Sequence, residues 1–273
     1  MFSNQQFHFI SGLPRSGSTL LSGILAQNPK ISAGMSSPVA SLINGALEQM
    51  GAGGEFYSFF NETKRKSIFR AIFNAYYEDN QKEIIFDTNR LWTARLHQLV
   101  DIFGDFKGIC LVRDPAWIMD SFEKIYRKNP FDYSKMFSPA NRITVYSRCE
   151  SMLNGPVGIS LTALKEAFYG EHSDKLLLVD YDLLTQFPEK AMGLIYEFIG
   201  DPTFNHDFNN VEYAHDEFDA SLGVKGLHTV KRKVEFSPRR SILPPDLFNK
   251  YNEMAFWKDT SGTAASVIAP KAK

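Results

Sequence analysis

The N-terminal part of the sequence carries a strand, a short glycine-bounded loop and a helix in immediate succession. The apolar run Phe7–Ser11 is followed by Gly12, four further residues, Gly17, Ser18 and Thr19, and then by the apolar residues of a helix. This spacing is that of a phosphate-binding loop, in which backbone N–H groups and the positive end of the next helix converge on an anion. We therefore predict an anion site at this turn.

The loop lacks the lysine that nucleotide kinases and ATPases carry. Ser18 stands where that lysine would bind the β- and γ-phosphates, and the cation of the loop is Arg15, which precedes the second glycine. A guanidinium at this place can bind a bridging oxygen or a leaving phosphate through its fork of N–H donors. The hydroxyl groups of Ser16, Ser18 and Thr19 add donors. The missing lysine argues against a kinase or an ATPase.

The overall composition is that of a globular protein without a strong electrostatic field. Hydrophobic residues make up 44% and charged residues 22% of the 273 residues, and the formal net charge is -1. Such a chain has no broad field for nucleic acid or an anionic membrane, so an anion site must be local. Cys110 and Cys149 fit neither a disulfide framework nor a metal site. Because we find no signal peptide or membrane span, we expect a cytoplasmic protein.

Short apolar strands alternate with longer amphipathic helices along the chain. This alternation predicts an α/β fold with a P-loop-like parallel sheet of about four to five strands, flanked by helices on both faces. We expect a single domain over residues 1–259 and a flexible tail at 260–273. The predicted strands are Phe7–Ser11, Glu83–Asp87, Lys107–Val112 and Lys175–Tyr181. The predicted helices are Ser18–Asn28, Glu62–Asn80, Trp92–Phe103, Pro115–Lys128, a long stretch within Pro139–Tyr169, and Phe187–Ile199.

A second segment, GICLVRDPAWIMDSF, repeats the layout of a strand, a charged turn and a helix. Arg113 leaves the strand, Pro115 suits the first helical turn, and Ser121 lies two turns into the helix. Taken alone, an arginine and an aspartate after a strand are typical of a structural ion pair. The segment is therefore informative only in combination with the first loop.

Together, the two segments resemble the sulfotransferases that use 3′-phosphoadenosine 5′-phosphosulfate (PAPS), above all the tyrosylprotein-type and bacterial small-molecule branches. LPRSGSTLL is similar to the family's 5′-phosphosulfate loop, and RDPAWIMDS is similar to its 3′-phosphate motif, with the arginine and the serine at the family's spacing. LLLVDYDLLTQFPEKAMGLIYEFIG resembles the family's strand, tyrosine–acid pair and apolar helix. The resemblance extends from about residue 7 to residue 200.

The resemblance implies a role for each matching residue. The 5′-phosphosulfate would be bound by the loop residues Pro14, Arg15, Ser16, Gly17, Ser18 and Thr19. Arg15 would also stabilise negative charge on the leaving phosphate. Arg113 and Ser121 would bind the 3′-phosphate, and Tyr181 would contact the adenine. For Tyr181, a ring packed in the core at the end of a strand is an equally good interpretation.

A basic stretch follows the last predicted strand. Its cations are Lys225, Lys231, Arg232, Lys233, Arg239 and Arg240. Such clusters are usually solvated surface, but the family's basic C-terminal loop folds over the 3′-phosphate. The resemblance therefore implies that Lys231 or Lys233 binds this phosphate, and Gly223 and Gly226 would suit a mobile lid.

Sulfuryl transfer requires an acceptor in line with the sulfur, a base and positive charge on the departing phosphate, but no obligatory metal. In the tyrosylprotein branch the base is a glutamate after the first helix. SAGMSSPVASL holds no acid there, which argues against protein tyrosine as the acceptor. In the small-molecule branch the base follows the second strand, where this sequence has Asp87.

Two residues are thus candidates for the base. We favour Asp87 on location, although it could instead cap the following turn or pair with Arg90. His228 in the basic stretch is nearly as good, because a histidine abstracts protons readily near neutral pH. We expect His8 to be structural, and His97, on a predicted helix, has no partner evident in the sequence.

We therefore expect a sulfotransferase that moves the sulfuryl group of PAPS to a hydroxyl or amine of a small-molecule acceptor and releases adenosine 3′,5′-bisphosphate. The aromatic segments Met35–Phe60 and Asn129–Met152 would build the acceptor pocket. We expect no nucleic-acid or membrane partner, and the sequence does not determine the oligomeric state. Two alternatives stay open: a P-loop small-molecule kinase, and a catalytically inactive PAPS- or nucleotide-binding protein.

Overall fold

The computed structural model describes residues 5–128, 143–212 and 232–269. Within these residues the strands are β1 (Gln6–Gly12), β2 (Ile31–Ala33), β3 (Ile84–Thr88), β4 (Gly108–Val112), β5 (Leu176–Asp180) and β6 (Ser266–Ile268). They form one parallel sheet with the strand order β2-β3-β1-β4-β5-β6. The predicted α/β class with a parallel sheet is confirmed.

Helices connect the strands and flank the sheet. They are α1 (Ser18–Leu25), α2 (Val39–Met50), α3 (Glu62–Tyr76), α4 (Leu96–Phe103), α5 (Pro115–Lys128), α6 (Val145–Leu153), α7 (Pro156–Tyr169), α8 (Tyr181–Gln186), α9 (Pro188–Ile199) and α10 (Pro245–Asn252). In the part of the chain that the structure describes, none of them combines the length and the apolarity that crossing a lipid bilayer requires.

The core consists of two apolar layers, one on each face of the sheet. Side chains alternate between the faces along each strand. Phe9 and Cys110 belong to one layer, whereas their neighbours Ile10 and Ile109 belong to the other. Burial on both faces explains why the strands read as continuous apolar runs.

The structure differs from the prediction at the edges of the sheet. β2 and β6 each span three residues, too few for a recognisable alternation of side chains. Val267 of β6 pairs with Leu178 of β5, so part of the predicted tail belongs to the sheet. The long helix predicted within Pro139–Tyr169 is divided into α6 and α7, because Pro156 begins a new helix.

The strand register brings the predicted site residues together at the carboxyl ends of the strands. Gly12 of β1 pairs with Leu111 of β4, and Val112 of β4 pairs with Asp180 of β5. The carboxyl ends of parallel strands meet at the same edge, which is where open α/β folds bind their ligands. The phosphate loop, the turn at Arg113 and the start of α8 therefore lie side by side.

Candidate functional site

The loop between β1 and α1 has the backbone conformation that its glycines predict. Gly12 has a φ of 111°, and a Cβ at this position would lie 2.2 Å from the carbonyl oxygen of Leu111. Gly17 has a φ of 96° and precedes the first residue of α1. Arg15 also adopts a positive φ, of 60°, which is uncommon for a residue with a side chain. Such backbone conformations are concentrated at functional sites.

The first turn of α1 is open to an anion. Gly17, its N-cap residue, provides no side-chain hydrogen bond, and the first turn contains no acidic residue. The first backbone N–H groups of a helix have no partner within the helix, and the helix dipole makes this end positive. The partly exposed Ser18 and Thr19 lie in this turn. The arrangement supports the predicted phosphate loop.

Ser16 fixes the loop to the neighbouring strand. Its side chain is fully buried, and Oγ donates to the carbonyl oxygen of Leu111 at 2.8 Å and also contacts that of Leu13. A serine hydroxyl has one proton, and it is directed at these carbonyl groups. The backbone N–H is thus the donor that Ser16 can offer to an anion.

A hydrogen bond joins the two predicted anion-binding motifs. Arg15 donates from Nε to Oγ of Ser121 on α5 at 3.1 Å, across a sequence separation of 106 residues. Ser121 is buried. The cation of the first motif and the serine of the second therefore belong to one continuous site.

Arg113 is held between two residues at the start of α8. Its guanidinium carbon lies 4.3 Å from the centre of the Tyr181 ring, and Nη2 lies 3.4 Å from Oδ1 of Asp182. The Nε–H group is buried and has no acceptor among the described residues. An unpaired buried donor costs about 1–3 kcal/mol, so Arg113 is suited to bind an additional acceptor.

Tyr181 also contacts the phosphate loop. A Cβ at Gly17 would lie 2.5 Å from Cδ2 of Tyr181, so only a glycine permits this approach. The ring is partly buried at the margin of one core layer. Tyr181 thus lies between the phosphate loop and Arg113, at the start of a helix rather than at the end of β5.

Asp180 caps this helix and has a perturbed pKa. Its Oδ1 accepts hydrogen bonds from the backbone N–H groups of Asp182 and Leu183, at 3.0 and 3.1 Å. Burial is the main cause of a rise in the pKa of Asp180 to about 6. The hydrogen bond from the Leu183 N–H lowers this pKa, and the negative charge of Asp182 raises it further.

A C-terminal segment is attached to α5 beside Ser121. Asp120 is fully buried, and its Oδ1 accepts hydrogen bonds from the Ile242 backbone N–H at 2.7 Å and from the Ser241 hydroxyl at 3.1 Å. Its Oδ2 accepts from Lys124 at 2.7 Å. Asp120 therefore fixes residues 241–242 to the helix that carries the second motif.

The same segment carries Arg239, a second partly buried arginine. Arg239 donates from Nη2 to the carbonyl oxygen of Trp117 at 3.1 Å, and Nη2 lies 3.5 Å from Oδ2 of Asp120. Its Nε–H is buried without an acceptor in the described part of the chain. Burial, followed by the positive charge of Arg113, lowers the pKa of Arg239. The two guanidinium groups are thus close enough to interact electrostatically.

Of the two lysines predicted at this site, Lys233 belongs to the described residues. Lys233 is described, and its ion pair is with Glu235, at 3.5 Å, with 62% of the lysine side chain exposed. Lys231 and His228 lie outside the described residues. Arg239 belongs to the same cluster of positive charge in the sequence, but charge alone did not distinguish it from its neighbours.

Asp87, the favoured base, is fully buried at the end of β3. Oδ1 accepts a hydrogen bond from Trp92 Nε1 at 2.8 Å, and Oδ2 accepts from the hydroxyl groups of Ser37 and Tyr77, each at 2.6 Å. Burial raises the pKa of Asp87, and the three donors act in the opposite direction. Its hydrogen-bond partners are thus these residues rather than the Arg90 considered above.

His8 has the structural role that its place in the first strand suggests. It is buried, and its Nδ1 accepts a hydrogen bond from the backbone N–H of Lys107 at 3.0 Å. Burial lowers the pKa of His8 to about 4.

The chain is similar to known proteins in sequence and in fold. A sequence model described as "Sulfotransferase family" matches residues 8–205. None of the curated proteins matches the chain. Among solved structures, the sulfotransferase domain from the curacin biosynthetic pathway is similar at a TM-score of 0.52 and 17% identity, covering 92% of this chain and 91% of that domain.

A second solved structure shows the same fold. It is a sulfotransferase from Alicyclobacillus acidocaldarius, similar at a TM-score of 0.51 and 14% identity over 81% of this chain and 92% of that one. The family match covers the phosphate loop, the Arg113 turn and the start of α8 in one alignment. The chain therefore belongs to the sulfotransferase family.

Proposed function

We propose that the protein transfers the sulfuryl group of PAPS to a hydroxyl or amine of a small-molecule acceptor and releases adenosine 3′,5′-bisphosphate. The observation that carries the proposal is the hydrogen bond from Arg15 to Ser121, which makes one site of two anion-binding motifs. A donor with phosphate groups at both ends of an adenosine requires two such places, whereas a single phosphate loop would suffice for a nucleotide with one phosphate chain.

The residues present fit such a donor. Gly12 and Gly17 have no side chains that would cover the backbone of the loop, and the first turn of α1 carries no capping side chain. At the other end, Arg113 and Arg239 each carry a buried Nε–H without an acceptor among the described residues. We assign the 5′-phosphosulfate to the loop, and the 3′-phosphate to Arg113, Ser121 and Arg239.

Three features of the chain would assist the transfer. Arg15 and the first turn of α1 would stabilise negative charge on the departing phosphate. Arg113 would orient the donor, since a planar guanidinium binds phosphate through two parallel hydrogen bonds. Tyr181 would contact the adenine.

Asp87 is the base that we propose within the described residues. Because its carboxylate is buried, a proton would reach it through one of the two hydroxyl groups that donate to Oδ2. Ser37 is the better placed, because it lies in the partly exposed connection between β2 and α2, whereas the ring of Tyr77 packs against the apolar core and Phe7. An acceptor hydroxyl would thus lose its proton to Ser37 as Ser37 passes its own to Asp87.

The acceptor would bind beside the connection between α2 and α3. This connection exposes aromatic rings, with Phe56 and Tyr57 each 49% and Phe59 68% exposed. Grouped exposed apolar side chains are typical of a surface that binds an apolar ligand. The observation supports an acceptor with an aromatic or aliphatic body, such as a phenol.

A transfer assay tests the proposal. Purified protein, supplied with PAPS and a panel of phenols, alcohols and amines, should form adenosine 3′,5′-bisphosphate and a sulfated product, with chelator present or absent. ATP-dependent phosphorylation that stops on chelation would instead indicate the kinase alternative. Tight binding of the bisphosphate without turnover on a wide panel would indicate the inactive binding protein.

A further inference from the structure

Three metal-ligating side chains meet on the surface at the amino ends of the strands, opposite to the phosphate loop. His97 lies in the first turn of α4, and Glu171 and His172 lie in the turn between α7 and β5. The phosphate loop follows its strand, whereas this turn precedes one. Since β1 and β5 belong to the same parallel sheet, the two turns lie at opposite ends of the strands. The group is therefore independent of the proposed donor site.

The ligand atoms are close to the spacing of a tetrahedral metal site. Oε1 of Glu171 lies 3.3 Å from Nδ1 of His97 and 3.2 Å from Nε2 of His172. All three ligand atoms lie within 4.8 Å of one another. Tetrahedral ligands at the usual Zn–N and Zn–O lengths are about 3.3–3.4 Å apart. Two of the three separations, 3.3 and 3.2 Å, are already close to this value.

The remaining separation can close by rotation of side chains on a rigid backbone. Buried Leu96 and Leu99 fix α4 to the core, and buried Ser173 holds the turn by accepting a hydrogen bond from the Ala264 backbone N–H at 3.2 Å. The side chains of His97 and Glu171 are 69% and 70% exposed and free of such packing.

We propose that His97, Glu171 and His172 bind a divalent transition-metal ion such as Zn²⁺, with water as the fourth ligand. Imidazole nitrogen favours zinc, copper and nickel, whereas magnesium and calcium prefer sites made of oxygen atoms. A bound ion would join α4 to the turn before β5, two elements that are far apart in sequence. It would stabilise the folded state, because the unfolded chain does not hold the three ligands together.

Zinc titration of the full, untagged and metal-free chain tests this site. Calorimetry should show saturable binding of one Zn²⁺ that is lost or weakened at least about tenfold in His97→Ala and in Glu171→Gln. Glu166→Gln removes an exposed carboxylate of α7 outside the group and is the matched control; it should bind zinc as the unaltered chain does. Zinc should raise the Tm of the control and of the unaltered chain, but not that of His97→Ala.

Two results would overturn the site. One is a chain that shows no saturable zinc binding, which would leave the three residues as a hydrogen-bonded cluster. The other is zinc binding that survives unchanged in both His97→Ala and Glu171→Gln, which would place the ion on other ligands. Because His97 and Glu171 are exposed, both variants should fold, and circular dichroism checks this. Nucleotide binding is a separate measurement, so failure of the proposed function leaves this result intact.

Discussion

Contacts of two arginines and one aspartate hold the proposed donor site together. The Nε–H groups of Arg113 and Arg239 are buried and have no acceptor in the described residues, and Asp120 lies beside Arg239. The positive charge of Arg113 acts on Arg239, and a carboxylate or a bound anion reduces such repulsion between like charges. The site is therefore suited to a phosphate group that binds both arginines.

Asp120 should act on the donor through Arg239. Asp120→Asn keeps the shape of the side chain but weakens the ion pair with Nη2 that orients the Arg239 guanidinium, so we expect affinity for adenosine 3′,5′-bisphosphate to fall roughly tenfold. Affinity for adenosine 5′-phosphate should change little. Calorimetry with both nucleotides measures the difference.

A double-mutant cycle separates this positioning role from a general loss of stability. In an Arg239→Ala background, Asp120→Asn should cause no further loss of bisphosphate affinity, because the residue it positions is gone. Additive losses in the double variant would show that Asp120 does not work through Arg239. Lys124→Ala, which removes the other cation at Oδ2, should leave nucleotide selectivity unchanged.

Asp180 should make stability depend on pH. Its pKa rises from an ordinary value of 3.8 to about 6 on folding, so the folded state binds more protons than the unfolded state between these values. Stability should therefore decrease as pH rises from about 4 to 6, by at most about 3 kcal/mol. Asp180→Asn, which can still cap α8, should flatten this decrease. Urea denaturation at several pH values measures it, and parallel curves for both proteins would disprove the effect.

The proposed proton path can be tested at Ser37. Asp87→Asn should lower kcat by about 10²–10⁴-fold, as expected for loss of a general base, and Ser37→Ala should lower it in the same direction. Trp92→Phe removes the donor to Oδ1 without touching the path, so its kcat should stay near that of the unaltered chain. If Trp92→Phe and Ser37→Ala reduce kcat equally, Asp87 has only a structural role.

At the scale of elements, the turn from β1 to α1 depends on a contact with the start of α8. Gly17→Ala places a Cβ 2.5 Å from the Tyr181 ring at a φ of 96°. We expect a loss of about 1–2 kcal/mol in stability from the backbone alone, together with weaker nucleotide binding. Gly45→Ala, on α2 with no atom within 4 Å of the new Cβ, is the control and should be neutral or stabilising. Equal effects at both glycines would contradict the contact.

At the scale of the whole molecule, the fold and the first anion site could be predicted because their signals are local. Gly12 and Gly17 have a fixed spacing within one loop, and α5 begins at the predicted Pro115. The contacts of Asp120 could not be predicted, since Ile242 is 122 residues away along the chain. Likewise, the contact of Asp87 with Ser37 joins residues that are 50 positions apart, and no local pattern in the sequence indicates it.

The assembly of two anion sites around one nucleotide is the central claim at this scale. It requires that the strand ends of β1 and β4 hold the two phosphate-binding motifs in one site, as the contact between Arg15 and Ser121 indicates. A nucleotide with a 3′-phosphate should then bind better than one without it.

Calorimetric titration of the unaltered chain and of Arg113→Ala, each with adenosine 3′,5′-bisphosphate and with adenosine 5′-phosphate, tests this claim most directly. The account predicts that the substitution weakens binding of the bisphosphate about 10–100-fold, as loss of a hydrogen-bonded charge does, and leaves binding of the monophosphate nearly unchanged. Equal weakening of both nucleotides, or no preference for the bisphosphate in the unaltered chain, would contradict it.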